Sequence, residues 1–275
     1  MTDCPSGSGA AKRPPTILDI INAKNVRKLV MLTAYDAPGA RIAEAGGADL
    51  ILVGDSAAMT VLGRPDTNSI SMDEMLHHAR AVTAAARSAL VVGDMPFLSY
   101  ESGPDDALRN AGRFFREAGI RALKLEGGRQ IVPQIKALVG AGIPVMGHLG
   151  LTPQSIHKYG TYAVRAKEQA EADKLVRDAH LLEEAGCFGL VLEKIPAVLG
   201  TRVSQELEIP TIGIGAGGGT DGQVLVIHDM LGINNEFSPR FLRRYADLYT
   251  QMMTGGRRYV EDVKSGDFPS EQEQY

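Results

Sequence analysis

The chain has 275 residues, 44% hydrophobic and 23% charged, which suits one large core or two small ones. Its formal net charge of −4 and pI near 5.9 come from interspersed charges without a basic tract, so nucleic-acid and anionic-membrane binding are not expected. Two cysteines without framework or CxxC spacing, Cys4 and Cys187, argue against a disulfide scaffold or thiolate zinc site, and the lack of a signal-peptide core or bilayer-length apolar run makes a cytoplasmic protein the expectation.

Residues 1–15 are small, polar and Pro-rich, and are expected to form a disordered tail. Residues 15–25, "PTILDIINAKN", have the pattern of a short amphipathic helix carrying Ile17, Ile20 and Ile21 on one side. Eight strand-length apolar runs follow, at 28–36, 49–56, 89–96, 122–128, 144–150, 188–196, 210–217 and 223–229. They are rich in Val, Ile and Leu with little polar alternation, as strands buried on both faces should be. Helical periodicity fills 72–88, 105–119 and 166–186, and only the spacer between the seventh and eighth runs is too short for a full helix. The alternation predicts an α/β fold, a single (β/α)8 TIM barrel over 16–265 with an N-terminal helix and C-terminal helices, and a tail at 266–275. A doubly wound open sheet is the competing architecture. Residues 237–266 have apolar helical faces with no assigned use, which hints at oligomer contacts, while the Met and Leu of "DLYTQMMTG" read as helix packing.

In a parallel barrel the active site lies at the C-terminal ends of the strands. There the sequence places Asp55-Ser56 on the second strand, Asp94 on the third, Lys124 and Glu126 on the fourth, His148 on the fifth and Glu193 on the sixth. Any one acid alone is more simply a helix cap, but caps on three adjacent strands would not be expected to cluster. Asp55, Asp94 and Glu126 sharing a pocket need shifted pKa values, a basic partner or a metal. Oxygen-only ligands favour Mg2+, with Mn2+ as a substitute, over Zn2+. Lys124 and Glu126 point to the same strand face, so the ammonium needs Glu126 or a substrate anion as partner. Glu193 stands apart in strand order, which suits a general base; a salt bridge to Lys194 is its structural alternative. His148 either polarises an oxygen or satisfies core hydrogen bonds. The "GIGAGG" stretch (213–218) precedes a strand, so its glycines read as a tight turn or close backbone approach and a dinucleotide site is not expected. His77-His78 reads as a solvated pair, and Asp221 and Asp229 as structural.

The motifs "MLTAYD", "LVGDSxxM", "GDMPF", "KLEGG", "GHLGLTPQS", "LVLEKIP" and "GIGAGGGTDGQVLVIHDMLGI" together resemble the ketopantoate hydroxymethyltransferase family, also called 3-methyl-2-oxobutanoate hydroxymethyltransferase. That family is similar to the phosphoenolpyruvate mutase and isocitrate lyase barrels. The resemblance implies Asp55, Asp94 and Glu126 as Mg2+ ligands, Asp55, Ser56, Asp94 and Lys124 at the 2-oxo acid, and Glu193 as proton acceptor. It implies one-carbon transfer from 5,10-methylenetetrahydrofolate to 3-methyl-2-oxobutanoate, giving ketopantoate for pantothenate and coenzyme A, in a homodecamer of paired pentameric rings. The chain departs from the pattern at Ala57, Ala58, Asn68, Ser69, Ala163, Arg165 and Val198. These departures keep open a divergent paralogue, a metal-dependent 2-oxo-acid aldolase or lyase, although the lyase motif KKCGH is absent. A non-catalytic binding protein on a degenerate barrel is the third reading, and the retained acids argue against it.

Overall fold

The computed structural model of the protein describes residues 13–275, so most of the tail expected at 1–15 lies outside the described residues. Two compact units divide the chain, the first ending at Val226 and the second comprising Ile227–Tyr275.

Each of the eight apolar runs contributes a parallel strand to the first unit. The strands are β1 (Leu29–Thr33), β2 (Leu50–Val53), β3 (Leu90–Asp94), β4 (Ala122–Glu126), β5 (Val145–Gly150), β6 (Gly189–Glu193), β7 (Thr211–Ile214) and β8 (Gly222–Leu225). They pair in chain order, and β8 closes on β1 through Leu29↔Gly222 to Leu32↔Leu225. The barrel is therefore the observed architecture and the open sheet is not. Helix α1 (Ile17–Ile21) precedes β1 and is started by a Thr16–Asp19 capping box. Between strands stand α2 (Ala37–Ala45), α3 (Ala57–Thr60), α4 (Met72–Ala85), α5 (Pro104–Ala118), α6 (Val132–Gly140), α7 (Ile156–Tyr159), α8 (Gln169–Glu184) and α9 (Ala197–Glu206). As expected, no helix separates β7 from β8 among the described residues.

Alternation along the strands decides what fills the barrel. Leu29 and Met31, Leu50 and Leu52, Leu90 and Val92, Ala122, Met146, Val191, Ile212 and Val224 form one buried interior cluster with Ile20 and Ala23 beside α1. Continuing two residues at a time from Val92, Ala122, Met146 and Val191 reaches Asp94, Lys124 then Glu126, His148 and Glu193. The same inward face is thus apolar low in the barrel and charged at its C-terminal mouth.

At the opposite end Lys24 Nζ pairs with Asp221 at 2.9 Å, and Asp221 also accepts from the amide and hydroxyl of Thr211. Asp221 is a structural acid, as its position suggested. The turn after β7 explains the glycines of "GIGAGG": Gly217 has φ +82, and a Cβ there would lie 2.4 Å from the Cβ of Ala197.

Two expectations are corrected. His77 and His78 are not a solvated pair: His78 is buried, with Nδ1 2.8 Å from the Tyr35 carbonyl, because α4 turns that face onto β2 and β3. In the second unit, α10 (Ile227–Met230) carries the buried Asp229, which accepts from Asn234. Helix α11 (Leu248–Ser265) buries no residue, and Met252 and Met253 remain 62% and 36% exposed rather than forming a packed core.

Candidate active site

The strand ends bring together every group that the sequence placed there. Lys124 Nζ lies 2.6 Å from Asp94 Oδ1 and 3.3 Å from Glu126 Oε1, all three side chains almost fully buried. Asp55 joins them through its amide, which donates to Asp94 Oδ2 at 3.2 Å. His148 bridges two acids, with Nδ1 3.2 Å from Glu126 and Nε2 3.4 Å from Glu193. Neither ring nitrogen is aimed well enough for a hydrogen bond, so the attraction is mainly electrostatic. Ser56 stands at the edge of the cluster, its Oγ 2.8 Å from the Tyr35 hydroxyl. None of the three acids caps a helix: α3, α5 and α6 start at Ser56, Gly103 and Ile131, none with a side-chain cap bond. The Lys194 amide donates to the Ile214 carbonyl at 2.8 Å and its ammonium meets the Tyr162 carbonyl, while Glu193 lies against His148.

The electrostatics are unbalanced. Burial, and then the charge of Asp94, push Asp55 well above the usual carboxylate range. Burial also raises Asp94, though Lys124 works against it. Glu126 moves the other way: burial opposes ionisation, but Lys124 and His148 outweigh it. Lys124 is held protonated by Asp94, Glu126 and Asp55 despite its burial. Burial and Lys124 likewise disfavour a charged His148, yet Glu126 and Glu193 raise it to about 9. Formally, the four carboxylates of Asp55, Asp94, Glu126 and Glu193 face the two cations of Lys124 and His148, leaving two negative charges over.

A divalent cation would remove that excess, so the donor set fits one. Among the described residues no three His, Cys, Asp or Glu side chains form a ready cage. Glu126 is already engaged, Oε1 with Lys124 and His148 and Oε2 with the Gln154 amide at 3.0 Å. Mg2+ commonly keeps several waters and takes one or two carboxylates plus substrate oxygens, which suits such an open site better than a cage would.

Three residues of the site were not singled out from sequence. Gln154 Nε2 donates to Asp55 Oδ2 and to the Met95 carbonyl, both at 2.9 Å. The Tyr100 hydroxyl donates to Gln154 Oε1 at 2.7 Å and accepts from the Glu126 amide at 3.1 Å. Tyr162 is half-exposed, and burial followed by Asp66, Glu193 and Asp55 raise its hydroxyl pKa, which places it near the mouth. Gln154 lay inside "GHLGLTPQS" and Tyr100 in a loop with no pattern of its own; neither has a local signal pointing to partners so distant in sequence.

A family description, ketopantoate hydroxymethyltransferase, matches residues 15–271. The chain belongs to the ketopantoate hydroxymethyltransferase family. A relative from Bacteroides fragilis named 3-methyl-2-oxobutanoate hydroxymethyltransferase is 60% identical over 90% of this chain and 91% of its own. One of the same name from Oleidesulfovibrio alaskensis is 54% identical over 97% and 92%. Solved structures share the barrel at low identity. A phosphoenolpyruvate phosphomutase from Streptomyces platensis subsp. rosaceus aligns with TM-score 0.61 and 16% identity, covering 91% of this chain and 88% of that one. A 2,3-dimethylmalate lyase, a member of the PEP mutase/isocitrate lyase superfamily, aligns with TM-score 0.61 and 18% identity over 93% and 86%. Phosphonopyruvate hydrolase in complex with oxalate and Mg2+ gives 0.59 and 15% over 94% and 92%.

Within this family member, the departures from the motif pattern fall into two settings. Ala57 and Ala58 are fully buried in α3 directly after Ser56, where small side chains set how closely that turn packs. Val198 is 83% exposed, and Arg165 stacks on Tyr159 at 4.1 Å while pairing with Glu171.

Proposed function

We propose that the chain transfers a one-carbon unit from 5,10-methylenetetrahydrofolate to 3-methyl-2-oxobutanoate, forming 2-dehydropantoate with water as the source of the new hydroxyl. The observation that carries this reading is the buried Asp55–Asp94–Lys124–Glu126 cluster, with Glu193 beside it, in a chain up to 60% identical to relatives bearing that enzyme name. A divalent cation, Mg2+ first and Mn2+ as substitute, would be held by Asp55, Asp94 and Glu126, the last two directly or through water because their oxygens already accept from Lys124 and from backbone amides. Bound there, the cation would act as a Lewis acid toward the 2-oxo acid.

The chain's own groups divide the remaining work. Ser56, held by Tyr35, is placed to meet the substrate carboxylate. Glu193 takes the proton from C3, and the charge of His148, 3.4 Å away, draws the carboxylate toward the cluster. Lys124 sets a permanent ammonium at the buried centre, where negative charge grows as that proton leaves. Water opens the methylene bridge of the folate, both of its C–N bonds breaking to give tetrahydrofolate and a one-carbon unit at the formaldehyde level. The carbanionic carbon adds to that one-carbon unit, whose oxygen takes up a proton as the new hydroxyl. Ground-state binding alone would not accelerate this; the ammonium helps because the charge it faces is largest in the transition state.

The assay is direct: purified protein, 3-methyl-2-oxobutanoate, Mg2+ and methylenetetrahydrofolate should yield ketopantoate. Saturating conditions without product would sink the reading. The aldolase or lyase alternative has no observation of its own, since the lyase neighbour at 18% identity speaks only to fold. A homo-oligomer, a decamer by family resemblance, is supported by the uncovered apolar side chains of α11. A cytoplasmic setting is part of the same proposal; among the described residues no helix is long and apolar enough to cross a membrane.

A further inference from the structure

Gln154 follows β5, yet its polar groups reach three other strands' ends. Its amide nitrogen meets Asp55 Oδ2 after β2 and the Met95 carbonyl after β3, each at 2.9 Å. Its backbone N–H donates to Glu126 Oε2 at 3.0 Å, and its side-chain oxygen accepts from Tyr100 at 2.7 Å. Gln154 and Tyr100 are 4% and 1% exposed, so no water competes freely for these bonds.

The polarity of this chain of bonds is set at the Gln154 amide and favoured at Tyr100. The Glu126 amide can only donate, so the Tyr100 oxygen accepts it. The single hydroxyl proton then has two acceptors in reach, Gln154 Oε1 at 2.7 Å and the Glu126 carbonyl at 3.1 Å, and the shorter contact favours Gln154. At the other end the Met95 carbonyl and the Asp55 carboxylate can only be met by an NH2 group. A flipped amide would set its oxygen against two acceptors, so the orientation follows from the partners. Asp55 Oδ2 is thereby committed as an acceptor to a rigid donor, and Oδ1 is not needed by the network.

We infer that Gln154, oriented by Tyr100, is a positioning residue that locks the Asp55 carboxylate by Oδ2 and so presents Oδ1 to a divalent cation. The inference rests on the proposed cation reading of this site and assigns its affinity partly to a side chain that would not touch the ion. Hydrogen-bond partners of ligating carboxylates carry roughly 10- to 100-fold in metal affinity elsewhere.

Mn2+ is the probe, because free Mn2+ has an EPR signal that is lost on binding, with no turnover needed. Gln154→Met keeps the volume and removes the amide; Tyr100→Phe keeps the ring and removes the hydroxyl. Each should weaken Mn2+ binding about tenfold while the protein still melts cooperatively. The double variant should be no weaker than Gln154→Met alone, because Tyr100 acts through Gln154. In turnover, half-saturating Mg2+ should rise in step while kcat at saturating Mg2+ falls less, a split that a general loss of packing would not give. Unchanged Mn2+ affinity in both folded variants, or losses that add in the double variant, would overturn the inference alone. Wild-type protein that binds no Mn2+ overturns the cation reading, and this inference with it.

Discussion

Asp55 shows how one residue can oppose folding and serve chemistry. Its carboxylate is buried beside Asp94, and burial followed by that neighbour raises its pKa above the ordinary 3.8. For a group whose folded pKa is raised, the favourable contribution is complete below the unfolded value and is lost as pH rises. Metal-free protein should therefore lose stability with rising pH above about 3.8 from this site. Asp55→Asn should remove that loss and stabilise the metal-free protein by about 1–2 kcal/mol near neutral pH. Melting curves in chelator, compared with curves in Mg2+, check it; a variant that melts lower in chelator would refute the uncompensated charge. Glu193→Gln makes the complementary test of the base. Deuterium exchange at C3 of 3-methyl-2-oxobutanoate should stop, while Mn2+ binding persists, and continued exchange would remove Glu193 from that role. Both acids are legible in the sequence because they end apolar runs in a series of strands, β2 to β6, that are neighbours in a barrel, where a helix cap or a lone salt bridge does not explain the clustering. Tyr100 is not, since its partner Gln154 lies 54 residues away and no local pattern links a loop tyrosine to a glutamine after another strand.

At the scale of elements, two helices stitch the stable end of the barrel by the same device. Glu44 sits in the last turn of α2, and its Oε1 accepts from the amides of Arg87 and Ala89 at 2.7 and 2.8 Å and from Ser88, just before β3. Glu183 in the last turn of α8 accepts from Glu208 and Ile209 at 2.7 and 3.0 Å, just before β7. An acid at a helix C-terminus is normally unfavourable, so these amides must compensate. For Glu44 they do: burial works against the charge, but the three amides hold its pKa below the ordinary 4.5. That stability is present above about pH 4.5 and is lost as pH falls through the lower folded value. Glu44→Ala should cost about 1–2 kcal/mol at neutral pH with catalysis unchanged, and the cost should shrink in acid. Equal melting temperatures at pH 7 would show that water replaces the carboxylate. The strands were readable from their unbroken Val, Ile and Leu runs, and the long helices from their period. These stitches were not, because a glutamate on an exposed helix gives no sign of which distant turn it closes.

The whole molecule leaves one surface unexplained by a single chain. Helix α11 spans 18 residues, none buried, and Tyr249, Met252, Met253, Val260 and Val263 recur at helical spacing along one side. Met252 is 62% exposed, and Val260 and Val263 are each 46% exposed. Gly255 and Gly256 lie in the middle of the helix, and an isolated helix of this length with two glycines is marginal in water. Its stability as a helix therefore calls for cover on the apolar stripe, and a second copy of the chain is the cover that the proposed homo-oligomer supplies. A charge placed there should be costly only in the assembly. Met252→Glu together with Val260→Glu should lower the particle mass in light scattering, while the far-UV signal of the barrel persists. If both substitutions leave the native mass unchanged at micromolar protein, α11 is not an assembly surface, and its stripe must be covered from within the chain.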